Sequence, residues 1–287
     1  MDITNAERAR ILVHALPYIQ KYNGKIVVVK YGGNAMVNEK LKNSVARDIV
    51  LLHLIGVKVV LVHGGGPEIT QTLSALGKET KFVDGLRVTD KETVEVAQMV
   101  LAGKINKSIV NLIECCGGKA IGLSGLDGHM LKAKVKDERL GFVGEITDVD
   151  PTPIFDILDK GYIPVLSTIG CDDEGNVYNI NADTAASKIA GALGAESLIS
   201  LTDISGILRD KDDPTTLIPH ITVAETDELI KSGVISDGMI PKVECCTEAI
   251  KCGVKKVFII DGRVPHSILI ETLTDEGIGT MFEEGKA

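Results

Sequence analysis

Short runs of β-branched and apolar residues alternate with amphipathic helical patterns along most of this 287-residue chain. This alternation is typical of α/β proteins, in which each helix connects two parallel strands of one sheet. Four apolar residues between the first two runs share one helical face, as expected of a helix that packs on a sheet. These residues are Leu41, Val45, Ile49 and Leu52. The sequence therefore predicts an α/β fold with a mostly parallel central sheet. The strands are predicted at residues 25–30, 58–63, 119–123, 162–168, 197–202 and 255–260.

Two stretches interrupt the alternation, at residues 80–88 and 130–149, and both mix glycine, charged residues and strand formers. Such segments are typical of β-hairpins, and we expect them to cover a substrate site. Ahead of the first strand, Thr4 and Glu7 have the spacing of a capping box, which marks a helix start. Pro17 is expected to kink this helix. The sequence thus predicts a helix appended to the main sheet.

The formal net charge of −9 at pH 7 argues against a nucleic-acid partner or an acidic membrane surface, since both require clustered Lys and Arg. No run approaches the roughly 18 to 20 apolar residues of a membrane span. Asp2, Glu7 and Arg8 lie where a signal peptide would be apolar. The six cysteines include no Cys-x-x-Cys pair, so neither a zinc site nor a redox motif is indicated. We therefore expect a cytoplasmic protein.

Two glycine-rich segments each follow a predicted strand, at residues 30–33 (Lys-Tyr-Gly-Gly) and 63–67 (His-Gly-Gly-Gly-Pro). Glycines in a strand-to-helix turn let the backbone approach a ligand closely, and free N–H groups beside Lys30 suit phosphate. Either segment could also be an ordinary structural turn. We interpret His63 as a structural residue and give it no role as a catalytic base.

Neither glycine-rich segment matches a standard nucleotide-binding motif. Each Gly-Lys pair is followed by a residue other than Ser or Thr, and no Gly-x-Gly-x-x-Gly motif opens a strand-to-helix turn. A P-loop kinase and a nicotinamide-dependent dehydrogenase are therefore disfavoured. The chain also lacks the His-Arg-Asp and Asp-Phe-Gly motifs of protein kinases, which excludes that class on motif grounds.

Polar residues also cluster in the second half of the chain. Residues 179–183 (Asn-Ile-Asn-Ala-Asp) indicate a loop that enters a helix, with Asn181 as the N-cap and Asp183 in the first turn. Two amides and a carboxylate in five residues exceed what capping alone requires. Residues 200–206 end a strand with small polar residues, which is typical of the rim of a ligand cleft. Residues 238–242 place Lys242 just after a proline that can start a helix.

Taken together and in this order, these segments resemble the amino acid kinase family, and most closely its acetylglutamate kinases. The motifs around Arg87 and Asn179 are the most particular to acetylglutamate kinases. One departure is Leu126, which stands where the family usually carries Lys, so a charge role at that position is in doubt. The resemblance covers nearly the whole chain and is carried by residues 30–33, 63–67, 85–89, 179–183 and 238–242.

The resemblance implies a three-layer αβα sandwich with two lobes and an N-terminal helix. Residues 1–21 would form an oligomerisation helix. Residues 22–193 would form a lobe for acetylglutamate binding and dimerisation, and residues 194–287 a lobe for ATP binding. The implied reaction is ATP-dependent, Mg²⁺-assisted phosphorylation of the γ-carboxylate of N-acetyl-L-glutamate. The product would be N-acetylglutamyl 5-phosphate, formed in the second step of arginine biosynthesis.

The same resemblance assigns particular residues to each site. The catalytic residues would be Lys30, Lys242 and Asp183, with Asp183 orienting both ammonium groups. The substrate would be bound by Gly65, Gly66, Arg87 and Asn179. ATP would be bound by Gly32, Gly33, Thr202, Asp203 and Lys242. No residue is assigned as a metal ligand, because Mg²⁺ is expected to be held mainly by phosphate oxygens and water.

The N-terminal helix and the segments 266–271 and 277–280 resemble the arginine-sensitive subclass, in which the extra helix links dimers into a hexamer, a trimer of dimers. The effector L-arginine would then bind in an allosteric pocket. Its predicted lining is Tyr18, His266, Glu271 and Gly277. The alternative is a simple dimerisation helix and a C-terminal core element. The sequence does not decide whether a PII-type protein regulates the chain.

Two rival functions stay open. Another amino-acid kinase, acting on an aminoadipate derivative, aspartate or glutamate, would share the fold, although Arg87 and Asn179 favour the acetylated acceptor. A non-catalytic arginine sensor would keep the fold without the chemistry. The presence of both Lys30 and Lys242 argues against such a sensor.

Overall fold

The computed structural model describes residues 4–285, so predictions for residues 1–3 and 286–287 lie outside the described residues. Within residues 4–285 the chain forms fourteen strands. They are β1 (Ile26–Tyr31), β2 (Lys58–His63), β3 (Phe82–Val83), β4 (Leu86–Arg87), β5 (Ala120–Ser124), β6 (Leu131–Val135), β7 (Gly144–Val149), β8 (Ile163–Ser167), β9 (Ile169–Cys171), β10 (Val177–Asn179), β11 (Ser197–Thr202), β12 (His220–Thr222), β13 (Lys256–Asp261) and β14 (Thr280–Glu283).

Eight of these strands form the central sheet, in the order β12-β14-β13-β11-β1-β2-β8-β5. The strands from β13 to β5 all pair in parallel, and β14 runs antiparallel to β13. All six predicted strands are confirmed, with boundaries within one residue of those expected. Their residues are mostly apolar and largely buried, which is typical of parallel strands covered on both faces.

Helices cover both faces of this sheet. They are α1 (Asn5–His14), α2 (Leu16–Tyr22), α3 (Glu39–Leu54), α4 (Gly66–Ala75), α5 (Lys91–Gln98), α6 (Asn106–Cys115), α7 (Thr152–Asp159), α8 (Ala182–Ala192), α9 (Val223–Lys231), α10 (Ile240–Lys251) and α11 (Ser267–Leu273). Alternate residues of β1 enter two separate cores, Val27 and Val29 one that includes α3, Val28 one that includes α8. The predicted three-layer αβα sandwich is therefore confirmed.

Both predicted hairpins are also present. β3 pairs antiparallel with β4 to form a short hairpin over the sheet edge. β6 pairs antiparallel with β7, and together with β9 and β10 they make a four-stranded second sheet. The main sheet and these hairpins together surround the site described below.

The N-terminal helix begins with the predicted capping box, in which the Thr4 hydroxyl accepts from the Glu7 N–H and the Glu7 carboxylate accepts from the Thr4 N–H. The helix is interrupted at Ala15, two residues before Pro17. No residue of α1 is buried, whereas Tyr22 at the end of α2 is only 3% exposed. α2 therefore fixes this appendage to the body of the protein.

The proposed division of the chain at residue 194 stays a prediction. β1 lies before that point and β11 after it, and the two strands are parallel neighbours in one continuous sheet. No helix within residues 4–285 is long and apolar enough to cross a membrane.

Candidate active site

The glycine-rich loops after β1 and β2 lie side by side at the carboxyl edge of the central sheet, because these strands are parallel neighbours. A cleft of about 250 Å³ opens at this edge. Predicted catalytic, substrate-binding and nucleotide-binding residues line it together. They are Lys30, Gly32, Gly33, Gly65, Gly66, Arg87, Asn179 and Asp183. Residues that are distant in the sequence therefore meet at one site.

Asp183 joins two lysines that come from opposite halves of the chain. The Lys30 Nζ lies 2.9 Å from Asp183 Oδ1, and the Lys242 Nζ lies 3.3 Å from Asp183 Oδ2. The Ser200 hydroxyl also faces Oδ1, at 3.5 Å. Burial alone would raise the pKa of Asp183, but the charges and hydrogen bonds of both lysines outweigh burial and lower that pKa to about 2. The carboxylate is therefore ionised at neutral pH.

The start of α8 holds Asp183 in place. The predicted N-cap is confirmed, because the Asn181 side-chain oxygen accepts hydrogen bonds from the Asp183 N–H at 3.0 Å and the Thr184 N–H at 3.1 Å. Asp183 itself occupies the first helical turn, where the positive end of the helix dipole favours a carboxylate. The local sequence at the start of α8 thus fixes the position of Asp183, which pairs with both lysines.

Two glycines that line the cleft lie close to neighbouring side chains. Gly33 has a φ of 66°, and a Cβ built there would lie 2.7 Å from an oxygen of Asp203. A Cβ at Gly65 would collide with the side chains of Ile105 and Leu101. The backbone at both positions can therefore approach a ligand more closely than any other residue would allow.

Arg87 is held beside the second glycine loop. Its Nη2 donates to the Gly66 carbonyl at 2.8 Å and to the Thr70 hydroxyl at 2.9 Å, and its guanidinium lies 4.9 Å from the Phe82 ring centroid. Its Nη1 is buried and, within the described residues, has no hydrogen-bond partner. Burial also lowers the pKa of Arg87. An unpaired, desolvated guanidinium nitrogen is suited to an incoming carboxylate.

A second cavity adjoins the cleft at Asp183, on the side of α10. It measures about 740 Å³ and is bordered by Lys242, Lys136 and the β3–β4 hairpin. Thr202, predicted to bind ATP, is buried, and its hydroxyl donates to the carbonyls of Ile204 and Ile260 at 3.1 and 3.3 Å. The predicted nucleotide-binding residues are therefore spread over both cavities and the end of β11.

A third cavity, of about 370 Å³, separates α2 from the C-terminal segment. Tyr18, Glu271 and Gly277 line it, as the predicted arginine pocket requires. His266 does not line this cavity. It lies at the start of α11, where its Nδ1 is 2.5 Å from the buried Asp48 carboxylate. The structure therefore brings three of these four residues together and places His266 against α3.

Three residues at the site make tertiary contacts that the sequence patterns did not indicate: Ser200, Phe82 and Asn106. Ser200 was visible as the polar end of a strand, but its contact with Asp183 depends on tertiary structure. Leu126, where a family lysine is missing, packs against one of the cores. Within residues 4–285 no cluster of three or more His, Cys, Asp or Glu residues could hold a metal ion.

Comparison with known proteins adds independent findings. The model of the amino acid kinase family matches residues 25–261. A protein named acetylglutamate kinase from Brachyspira hyodysenteriae is 58% identical over 285 residues, which cover 99% of each chain. A protein of the same name from Thermosynechococcus vestitus is 55% identical, over 98% of this chain and 95% of its own.

Among solved structures, N-acetylglutamate synthase from Neisseria gonorrhoeae, complexed with coenzyme A and N-acetyl-glutamate, matches with a TM-score of 0.85 and 26% identity. The match covers 97% of this chain but only 64% of the synthase chain. The same synthase complexed with coenzyme A and L-arginine matches with a TM-score of 0.81 and 25% identity, over 96% of this chain and 65% of that one.

Proposed function

The chain belongs to the amino acid kinase family, and we propose that it transfers the γ-phosphoryl group of ATP to the γ-carboxylate of N-acetyl-L-glutamate. The product is N-acetylglutamyl 5-phosphate, formed in the second step of arginine biosynthesis, and the enzyme is expected to work in the cytoplasm. The observation that carries the proposal is the junction at Asp183, where Lys30 and Lys242 meet, in a cleft that is also lined by Arg87 with its buried, unpaired Nη1.

The acceptor needs no catalytic base. A γ-carboxylate has an ordinary pKa near 4.3, so it is already an anion at neutral pH. The barrier comes from bringing that anion against an anionic phosphoryl group. A lysine at about 4 Å offsets roughly 4 kcal/mol of this repulsion at an effective dielectric constant near 20. Lys30 and Lys242 supply two such charges, and Asp183 keeps the two ammonium groups close together by pairing one with each of its oxygens.

Each remaining residue has a proposed part in binding. Arg87 would pair with the substrate α-carboxylate through Nη1, and Asn179 would bind amide or carboxylate groups in the same cleft. Gly65 and Gly66 would donate N–H groups to substrate and phosphate. ATP would lie against Gly32, Gly33, Thr202, Asp203 and Lys242.

Kinases of this family use ATP, which usually binds as its Mg²⁺ complex. Asp183 is the carboxylate that lines this cleft, and its two oxygens are already paired with Lys30 and Lys242. The groups left for a ligand there include lysine ammonium groups and the backbone of the glycine loops. These donors suit phosphate oxygens, not a metal cage. We propose that Mg²⁺ enters with ATP and stays coordinated by phosphate oxygens and water, where it neutralises phosphate charge.

The test of the activity is a hydroxamate-trapping assay with ATP and Mg²⁺, in which each acceptor is offered separately. N-acetyl-L-glutamate is expected to react with a kcat/KM far above those of glutamate, aspartate and an aminoadipate derivative. Equal use of these acceptors would overturn the substrate assignment. No acyl phosphate from any acceptor would favour the non-catalytic sensor.

We further propose feedback inhibition by L-arginine, bound in the cavity lined by Tyr18, Glu271 and Gly277. The synthase of similar fold that was solved with L-arginine supports this idea. α1 would link dimers into a hexamer, because Ile11, Leu12 and Val13 are 60, 75 and 68% exposed.

Deletion of residues 1–21 tests this regulation. Catalysis is expected to remain, while arginine inhibition disappears and the oligomer becomes smaller on gel filtration. The matched variant Glu271→Gln should weaken inhibition without a change in oligomer size. An unchanged elution volume after the deletion would contradict the role given to α1.

A further inference from the structure

His63 ends β2 directly before the glycine loop and is fully buried. It lies between Tyr31 of β1 and Ser167 of β8 in the central sheet. Its Nδ1 is 3.0 Å from the Gly64 carbonyl oxygen, and its Nε2 is 3.2 Å from the side-chain nitrogen of Asn106. Both ring nitrogens are therefore engaged, one by the loop and one by α6.

The position of the ring proton follows from Asn106. The Asn106 side-chain nitrogen also lies 2.9 Å from the Val165 carbonyl and 3.2 Å from the Leu123 carbonyl. Two acceptors fix the orientation of this amide, because a flipped amide would place oxygen against oxygen. The amide has two N–H groups for these two carbonyls and for His63 Nε2, so one N–H is shared. A proton on Nε2 would face an amide nitrogen that cannot accept it, whereas Nδ1 faces the Gly64 carbonyl, so the proton lies on Nδ1. The Nδ1–H then donates to the Gly64 carbonyl.

Gly122 makes this arrangement sterically possible. A Cβ at that position would collide with the side-chain oxygen of Asn106. A glycine in the middle of β5 weakens a strand, and it is typical of a place where another group must approach closely. β5 therefore provides the space that the Asn106 amide occupies.

The hydrogen bond from His63 to the Gly64 carbonyl also orients the Gly65 N–H. The Gly64 carbonyl and the Gly65 N–H belong to one planar trans peptide, so they point in opposite directions. A carbonyl held at His63 leaves the Gly65 N–H directed away from the ring, and Gly65 lines the cleft. The helical segment that precedes Asn106 also touches Gly65, through Leu101 and Ile105.

We propose that His63 is a positioning residue for phosphoryl transfer: Asn106 fixes its Nδ1–H tautomer, and the ring aims the Gly65 N–H at the transferring phosphoryl group. The inference rests on the proposed kinase function. Burial lowers the pKa of His63 to about 4, a shift that the bond to Gly64 only partly opposes, so the ring is neutral at pH 7. His63 orients a donor and takes no proton from the substrate.

A matched pair of variants separates positioning from simple packing. In His63→Asn the amide nitrogen can occupy the place of Nδ1 and still donate to Gly64, whereas in His63→Gln it reaches the place of Nε2. Because an aimed backbone donor acts mainly in the transition state, we expect His63→Gln to lower kcat about 30-fold with the KM for ATP nearly unchanged. His63→Asn should keep kcat within about threefold of the parent. Equal losses in the two variants, with equal melting temperatures, would overturn the proposal.

The tautomer can be measured without reference to activity. Histidine-directed ¹⁵N NMR of the parent protein at pH 7 should show His63 neutral and protonated on Nδ1. In Asn106→Ala the donor that faces Nε2 is lost, so the Nε2–H tautomer should become detectable, and kcat should fall by no more than in His63→Gln. An Nε2–H tautomer in the parent would refute the positioning role even if the protein is an active kinase. A parent protein with the Nδ1–H tautomer but no kinase activity would instead refute the proposed function.

Discussion

Lys30 and Lys242 bind the same carboxylate from very different surroundings. Lys30 is the second-last residue of the central strand β1, its side chain is 9% exposed, and its Nζ is 2.9 Å from Asp183. Lys242 lies in the first turn of α10, its side chain is 33% exposed, and its Nζ is 3.3 Å from Asp183. One lysine is therefore part of the rigid sheet, while the other is presented by a helix at the edge of an open cavity.

This difference in exposure indicates that the two lysines contribute differently to catalysis. A charge in a buried, low-dielectric position acts more strongly on a nearby anion than one partly screened by water. Lys30 is expected to provide most of the electrostatic stabilisation, and Lys242 to complete the site when nucleotide fills the cavity beside α10. Asp183 connects the two, because it holds one oxygen toward each lysine.

Removing each charge separately should give the largest effects. We expect Lys30→Met to lower kcat about 1,000-fold and Lys242→Met about 100-fold, both within the range for lost electrostatic stabilisation. Steady-state assays with ATP and N-acetyl-L-glutamate measure this, and circular dichroism checks the fold. Lys58→Met, which removes a lysine paired with Asp159 at the surface, should leave kcat unchanged. Near-normal activity in either active-site variant would refute the mechanism.

Arg87→Lys should affect the acceptor side of the cleft and spare the lysine pair. Lysine cannot reproduce the forked donors of a guanidinium, so the KM for N-acetyl-L-glutamate is expected to rise about 20-fold with a smaller change in kcat. Arg139→Lys, at an exposed pair with Asp137, is the matched control and should change neither value. A larger rise in the KM for ATP than in the KM for N-acetyl-L-glutamate would contradict the assignment of Arg87 to acceptor binding.

Asp183→Asn should reveal how much the shared carboxylate stabilises the fold. The folded pKa of Asp183 is about 2 against an ordinary value of 3.8, so its ionisation stabilises the protein above pH 3.8 and this gain is lost as pH falls toward 2. The shift corresponds to about 2 kcal/mol at pH 7, of which about half is lost by pH 3. Urea unfolding of both proteins across this range measures the difference. A gap that widens on acidification would contradict the assigned pKa.

Asn181→Ala is expected to have the smallest effect. Loss of the cap should cost about 1 kcal/mol of stability and lower kcat less than Lys242→Met does, because Asp183 stays paired with its lysines. Asn38→Ala removes an equivalent cap at the start of α3, away from the cleft. Thermal melts should show similar losses for both variants, and only Asn181→Ala should change kcat. An equal change in kcat would mean that the cap has no special connection with Asp183.

The strands of the central sheet were predictable because parallel buried strands consist of continuous apolar runs. The N-cap at Asn181 and the capping box at Thr4 and Glu7 were predictable for a similar reason, since both depend on residues a few positions apart. Local physics determines these features. A single sequence is sufficient to find them.

Contacts between distant segments were not predictable in this way. Asn106 meets His63 only because α6 packs against β5 and β8, and Ser200 meets Asp183 only because α8 begins at the edge of the sheet where β11 ends. The role of His266 in an arginine pocket stays a prediction, and local sequence did not indicate that its ring would contact Asp48 of α3. Such contacts depend on packing geometry, which no local pattern contains.

In the proposed mechanism Lys30 and Lys242 act as one unit through Asp183. A double-mutant cycle tests it most directly, with kcat measured for the parent protein, Lys30→Met, Lys242→Met and the double variant. Groups that act together on the same charge lose less in combination than the product of their separate losses. The double variant is expected to be at most about tenfold slower than Lys30→Met. Losses that multiply to about 100,000-fold would show that the two lysines act independently.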